Sequence, residues 1–277
     1  MYAHSDNLVN LITSKTFKSH LWQHRWLFLA FTEREIKNRY IGSVGGLLWA
    51  FLHPLLLLAI YGLVFRLVFK VSIPELGDRP FVEFVALGLW PWLAFQESVQ
   101  RGTQAIQANA SLVKKVAFPH ELLVYAATTA TFAIHMAGFS LVLIVLAAVG
   151  NGFSSSGVLP GLLSLLLLFI LANALALAFA ALQVFLRDLD QFLPSVFMVF
   201  FYATPILYPV TMLPDSLREV MLWNPLVYFV SPLRDALIFG QSGLGGSGLL
   251  AWGTVPLVFL LGRWLFLRLS PHFEDFV

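Results

Sequence analysis

The sequence predicts an all-α membrane protein with six transmembrane helices, an N-terminal amphipathic interface helix and two short reentrant helices before the last span. Three observations predict it. Hydrophobic residues make up 58% of the 277-residue chain, and its mean hydropathy is +0.80. Only 12% of residues are charged, about half the share in a soluble domain. The apolar residues fall in runs of roughly 20, the number a helix needs to cross a hydrocarbon core of about 30 Å.

Taken in order, the first twenty residues are polar, with Asp6, Lys15 and Lys18. No cleavable leader is expected, and the first span acts as its own insertion signal. Residues 20–40 begin apolar (Leu21, Trp22, Trp26, Leu27, Leu29) and end charged (Glu33, Arg34, Glu35, Lys37, Arg39). Trp22, Trp26, Leu29 and Ile36 fall near one helical face, which predicts a helix lying in the interface rather than crossing it. Spans are expected at about 44–69, 82–108, 122–149, 158–186, 192–213 and 249–269. The second turns polar at Gln96, Glu97, Gln100 and Arg101, so its later half needs protein or water around it. Pro194, Pro205 and Pro209 interrupt the fifth. Residues 109–121 form a short basic loop. Residues 217–239, broken by Asn224-Pro225 and Ser231-Pro232, read as two short reentrant helices at the outer face, and Gly240 to Gly248 as a connector. All 277 residues form a single transmembrane domain.

An even number of spans puts both termini on one side. With the termini in the cytoplasm, the inner side holds twelve of the seventeen Lys and Arg residues and the outer side five. That asymmetry predicts this orientation. The loop from Gly150 to Gly157 carries no charge, which suits the outer face.

Several function classes are disfavoured. A net charge of +2, scattered along the chain, gives no footing for nucleic acid. The absence of cysteine removes disulfides, thiolate metal sites and thiol catalysis. No Gly-x-x-x-x-Gly-Lys-Ser/Thr loop is present, so active transport would draw on another chain or an ion gradient. No metal site is expected, because His53 and His135 have no second histidine four residues away and no carboxylate at ligand spacing. Acidic residues are few and dispersed, which disfavours a membrane transferase.

Some residues stand out with alternatives open. Glu97, with Arg101 one turn later, fits either a structural i, i+4 pair or a functional site. Lys114-Lys115 fits plain positive-inside anchoring. The adjoining Phe118-Pro119 adds a helix stop beside an aromatic, expected to make a short rigid element with an exposed apolar tip. Arg187-Asp188-Leu189-Asp190 fits a solvated turn or a contact. Arg25, Lys37 and Arg39 beside Trp22 and Trp26 suit anionic lipid headgroups in general or a diphosphate in particular. Trp90, Trp92, Phe200, Phe201, Tyr202 and Tyr208 lie in spans with polar or proline breaks and are candidates to line a sugar path.

An ordered set of motifs carries a resemblance over about residues 20–240. The set comprises Arg39 to Trp49 followed by His53-Pro54, Leu89-Trp90-Pro91-Trp92, Asn109 to Glu121, Arg187 to Asp190, Thr204 to Pro209, Asn224-Pro225, and Ser231 to Arg234. The chain resembles the six-span permease subunit of ABC exporters for lipid-linked polysaccharides, such as O-antigen, capsule and teichoic acid. The resemblance implies a homodimer bound to two copies of a separate ATPase that carries the ATP and Mg, with no cofactor in this chain. It implies that the helix at 20–40 gates the way in for a lipid-diphosphate headgroup. It implies that Leu112, Val113, Lys114, Lys115, Val116, Phe118 and Pro119 form the coupling element, with Arg187, Asp188 and Asp190 as a second contact. It implies that the reentrant pair closes the outer mouth. It also implies export of an undecaprenyl-diphosphate-linked glycan across the bacterial inner membrane.

Overall fold

The computed structural model describes residues 23–39, 45–46, 48–68, 76–77, 79–149, 153–221, 223–240 and 246–277. Trp22, residues 40–44 and 47 of the first motif, and residues 241–245 of the Gly/Ser connector lie outside the described residues. Among the described residues every regular element is helical. In chain order they are α1 (Arg25–Asn38), α2 (Leu48–Leu63), α3 (Phe81–Ala108), α4 (Ala110–Lys115), α5 (Glu121–Val149), α6 (Val158–Gln183), α7 (Leu189–Ala203), α8 (Asp215–Met221), α9 (Val227–Phe239), α10 (Gly246–Leu269) and α11 (Phe273–Phe276). A π-helical turn, Val64–Val68, continues α2.

Three segments are long and apolar enough to cross a membrane: Glu121–Ala148, Ser155–Gln183 and Trp252–Phe276. Leu48–Leu63 and Leu189–Ala203 are apolar but shorter. At 28 residues α3 has ample length, yet Glu83, Glu97 and Arg101 dilute its hydropathy. This is a multi-pass, all-helical membrane protein whose most polar long helix is also its most buried.

The hub is α3, packed against α5 on one side and α6 on another, with α2, α7 and α9 around it. It begins after Pro80, whose extended backbone (φ −63°, ψ 136°) ends the preceding chain. Glu83 in its first turn suits the helix dipole and pairs with Arg79 at 2.5 Å. Close packing follows from small residues. A Cβ on Gly102 would sit 2.6 Å from both Ala176 and Thr128, and one on Gly262 only 2.2 Å from the Ala174 carbonyl oxygen. Ala172, Ala174, Ala176, Ala180 and Ala181 of α6 are fully buried. Small faces let backbones approach where lipid gives no hydrophobic drive between helices.

Two positions depart from the expected spans. The fifth span is helical only to Ala203, because a residue before proline is driven from the α region: Thr204, preceding Pro205, is extended (φ −106°, ψ 137°). Asn224 then satisfies the freed groups, its amide donating to Ala203 O and Thr204 Oγ1 at 2.9 Å each. Arg234 and Arg263, counted among the outer and inner charges, are buried. Arg234 is 3% exposed, stacks 3.5 Å over the Phe84 ring and donates to Ile206 O. Arg263 forms a two-pronged pair with Glu121, Nε to Oε2 at 3.1 Å and Nη2 to Oε1 at 3.4 Å. Removing both from the charge comparison leaves eleven against four, with the same sign.

Glu121 is 2% exposed, so its pairing with Arg263 is obligatory. Losing one member of a buried pair leaves a naked charge and costs about 3–5 kcal/mol, whereas replacing both by apolar groups can be nearly neutral. Arg263→Leu should therefore lower unfolding stability in detergent by about that amount, and Glu121→Met with Arg263→Leu should recover most of it. Denaturant titration of the three proteins checks this.

Candidate functional site

One face of α3 carries Gln96, Glu97, Gln100, Arg101 and Gln104, a helical stripe of polar residues in an otherwise apolar bundle. Two clefts of about 410 and 420 Å³ meet along it. The first is walled by Trp49, Ala50, His53 and Pro54 of α2 and by Leu93, with Arg39 and His135 at its base. The second is closed by Asp190, Leu193 and Pro194 of α7. Together they form a polar groove along α3, flanked by α2 and α7.

Glu97 is the centre of this groove. Arg39 donates to its Oε1 from just beyond the end of α1. His135 of α5 places Nε2 2.7 Å from its Oε2. Arg101 lies farther, Nε at 3.7 Å. The expected i, i+4 pair is present but is the loosest of the three contacts. His135, expected as a core histidine without a carboxylate, is 6% exposed and rests against one. Its Nδ1 is buried without a hydrogen-bond partner. His53, expected in the core, is exposed in the cleft wall.

The basic loop lies at the end of α3. Asn109 stops that helix, its amide donating to Ala105 O at 2.8 Å, and its carbonyl receives the first amides of α4 from Leu112 and Val113. Its Oδ1 accepts from Arg34 of α1 at 2.6 Å. The short helix ends at Lys115, before Phe118, and Val116 is extended (φ −132°, ψ 127°). Lys114, Lys115 and Val116 are exposed, whereas Val113 is 1% exposed and Leu112 and Phe118 are half-buried. Phe118 is thus not the exposed apolar tip. Its ring meets Phe31 edge-on at 5.6 Å and His120 at 5.2 Å, because turning inward removes aromatic surface from water. The exposed apolar residue is Val116, beside two lysines. Pro119 is half-buried after it.

The bend between α6 and α7 sits at the same end. Gln107 of α3 donates to Gln183 O at 2.9 Å, and Gln183 in turn donates to Arg187 O at 3.1 Å. Arg187 and Asp188 are exposed, and Asp190 accepts from Gln104 at 3.2 Å. The C-terminus closes this corner, with Phe273 fully buried among Phe185, Phe266 and His120. Burial holds the His120 imidazole below its ordinary pKa, against the pull of Glu274.

On α1 two faces separate. Phe28 and Phe31 turn toward α5, while Trp26 (72% exposed) and Leu29 point outward. The guanidinium of Arg25 lies 5.7 Å from the Trp26 ring, and Lys37 pairs with Glu33 at 2.5 Å in the open. The candidate path aromatics divide. Trp90 and Trp92 are 1% exposed and offer no face to a passing ligand, their indole N–H groups donating to His135 O and Gln96 Oε1. Phe200 and Phe201 are half-buried against the core. Tyr202 is exposed, and Tyr208 donates to its carbonyl oxygen.

The sequence profile of the ABC-2 type transporter family matches residues 27–238. The chain belongs to that family. Among similar proteins, the O-antigen export system permease protein RfbA of Myxococcus xanthus is 34% identical over 243 residues, covering 87% of this chain and 90% of that protein. A Klebsiella pneumoniae protein of the same description is 28% identical over 90% of this chain and 94% of its own length. The polysialic acid transport protein KpsM of Escherichia coli is 28% identical over 82% and 87%.

In this ABC-2 type protein, Arg34–Asn109 and Phe31–Phe118 bind the interface helix to the basic loop. A double-mutant cycle of Phe31→Ala and Phe118→Ala, read by unfolding stability in detergent, should give a coupling of about 0.5–1.5 kcal/mol. A value near zero would mean the rings pack independently.

Proposed function

We propose that this chain is the membrane-spanning subunit of an ATP-driven exporter, moving an undecaprenyl-diphosphate-linked, O-antigen-like polysaccharide out of the bacterial cytoplasm across the inner membrane. It works as a homodimer with two copies of a separate ABC ATPase and does no covalent chemistry itself. Both termini face the cytoplasm. The observation that carries this reading is the polar groove on α3 opening near the corner formed by α4 and the α6–α7 bend. The relatives' roles in O-antigen and polysialic acid transport support a glycan as cargo. Capsule-type glycan is the second reading, favoured by the polysialic acid relative.

The parts divide the work. Lys114, Lys115 and Val116 form the surface the ATPase grips, with Arg187 and Asp188 beside it. Leu112, Val113, Phe118 and Pro119 hold that element on the bundle. Trp26, Arg25 and Lys37 set α1 in the membrane interface, where cations beside aromatics suit anionic lipid. Arg39 and Arg101 draw the charged headgroup into the groove. A path for a sugar polymer needs two copies, because clefts of about 410 and 420 Å³ are too small for a polymer to pass.

Deleting the gene should abolish surface polysaccharide, seen on gels of whole-cell extracts, without sensitising cells to drugs. Drug sensitivity with intact glycan would point to another cargo. Val116→Asp with Lys115→Glu alters only exposed side chains, so folding should survive. Association with the ATPase should weaken about tenfold or more, as expected for residues central to an interface. Co-purification and ATP hydrolysis by the complex check both points.

A further inference from the structure

Glu97 is met in the groove by two guanidiniums and an imidazole. Arg39 arrives from beyond α1, Arg101 from the next turn of α3, and His135 from α5. The carboxylate is still 30% exposed, and its neighbours line an open cleft of about 410 Å³. The Glu121–Arg263 pair is sealed, its carboxylate 2% exposed, whereas the Glu97 cluster opens to the cleft. Two guanidiniums and an imidazole facing a cleft are the chemistry that grips phosphate and diphosphate, through charge-assisted hydrogen bonds. The cleft wall beyond them is apolar, with Trp49, Pro54 and Leu93, and would suit the adjoining chain of a lipid.

We infer that Glu97 is an internal stand-in for a phosphate-class anion: it neutralises Arg39 and Arg101 while the groove is empty, and an arriving phosphate or diphosphate group displaces it. The inference rests on the reading of the groove as the place where cargo enters. The displaced contact matters beyond binding. Arg39 follows α1, which is fastened to the basic loop by Arg34–Asn109 and Phe31–Phe118. Taking Arg39 from Glu97 therefore removes one tie between the end of α1 and α3 as the site fills. Occupancy of the groove becomes readable at the corner that the ATPase grips. A cluster with its own counter-anion also resists bulk anions, since a ligand must outcompete a carboxylate already tethered there.

The test uses the full permease assembled with its ATPase in phosphatidylcholine nanodiscs without nucleotide. Binding of undecaprenyl diphosphate and of inorganic pyrophosphate is measured by calorimetry. Glu97→Gln should tighten binding about tenfold or more, the scale of one lost charge-assisted competitor. Arg101→Gln should weaken it by a similar factor. Tightening for the lipid alone identifies a lipid headgroup as the anion, and tightening for both probes or for pyrophosphate alone identifies a site for free anion. Unchanged or weakened binding in Glu97→Gln overturns the inference, as does a wild-type complex that binds neither probe. Should Glu97→Gln fail to assemble, Arg101→Gln decides alone, because that side chain is 52% exposed and its loss leaves the fold intact. Unaltered affinity there also overturns it. Glycan export, tested separately by gene deletion, can hold while this fails, so the two claims fall independently.

Discussion

A carboxylate within an apolar bundle has to be neutralised or expelled, since a charge at mid-bilayer costs roughly 2.5–3.5 kcal/mol even on insertion scales. Glu97 is neutralised by groups drawn from three directions, and this requirement organises the half of the molecule that holds the groove. It fixes the face that α3 turns to the groove. It pulls the residue after α1 onto the bundle and sets the register of α5 through His135. The apolar helices behind then pack by small residues, with Gly102 and the α6 alanines allowing α3 to sit close to its neighbours.

The second organising feature is the corner at the end of α3. Asn109 serves three helices at once: it terminates α3, starts α4 and receives Arg34 from α1. Phe118 and Phe273 fill the space beneath, leaving Ser111, Lys114, Lys115, Val116 and Ala117 outside. A force applied to those exposed residues passes into α1 by a hydrogen bond and a ring contact, and into α3 by continuous backbone. The opposite end is built differently. There Asn224 and the buried Arg234 satisfy backbone that Pro205 has released from α7, so the break is held by side chains rather than by helix.

Much of the fold was legible in the sequence because hydropathy and proline placement act locally. The long apolar helices α5, α6 and α10 begin and end within a few residues of their expected limits, and the polar half of α3 announced itself by composition. The convergence on Glu97 was not legible. Its partners Arg39 and His135 lie 58 and 38 positions away, and only the docking of α1 on α5, and of α5 on α3, brings them together. The pairing of Arg263 with Glu121, 142 positions apart, was hidden for the same reason, since Arg263 reads only as a cation near the end of the last span. The direction of Phe118 was also hidden, since a proline stop shows where a helix ends but not which way the next ring turns. A polar stripe at i, i+1, i+4, i+5 and i+8 on α3 was the signal that could have exposed the groove.

The account stands on the end of the interface helix being fastened to the middle of α3. The chain has no native cysteine, so Asn38→Cys beside Arg39 and Gln100→Cys one turn past Glu97 leave the ion pair intact and provide a clean pair for a short bifunctional thiol reagent in native membranes. Rapid intramolecular cross-linking is expected in the resting protein, well above that of a control pairing Asn38→Cys with a cysteine at the exposed Leu162 of α6. Equal or absent cross-linking in the two pairs would contradict it.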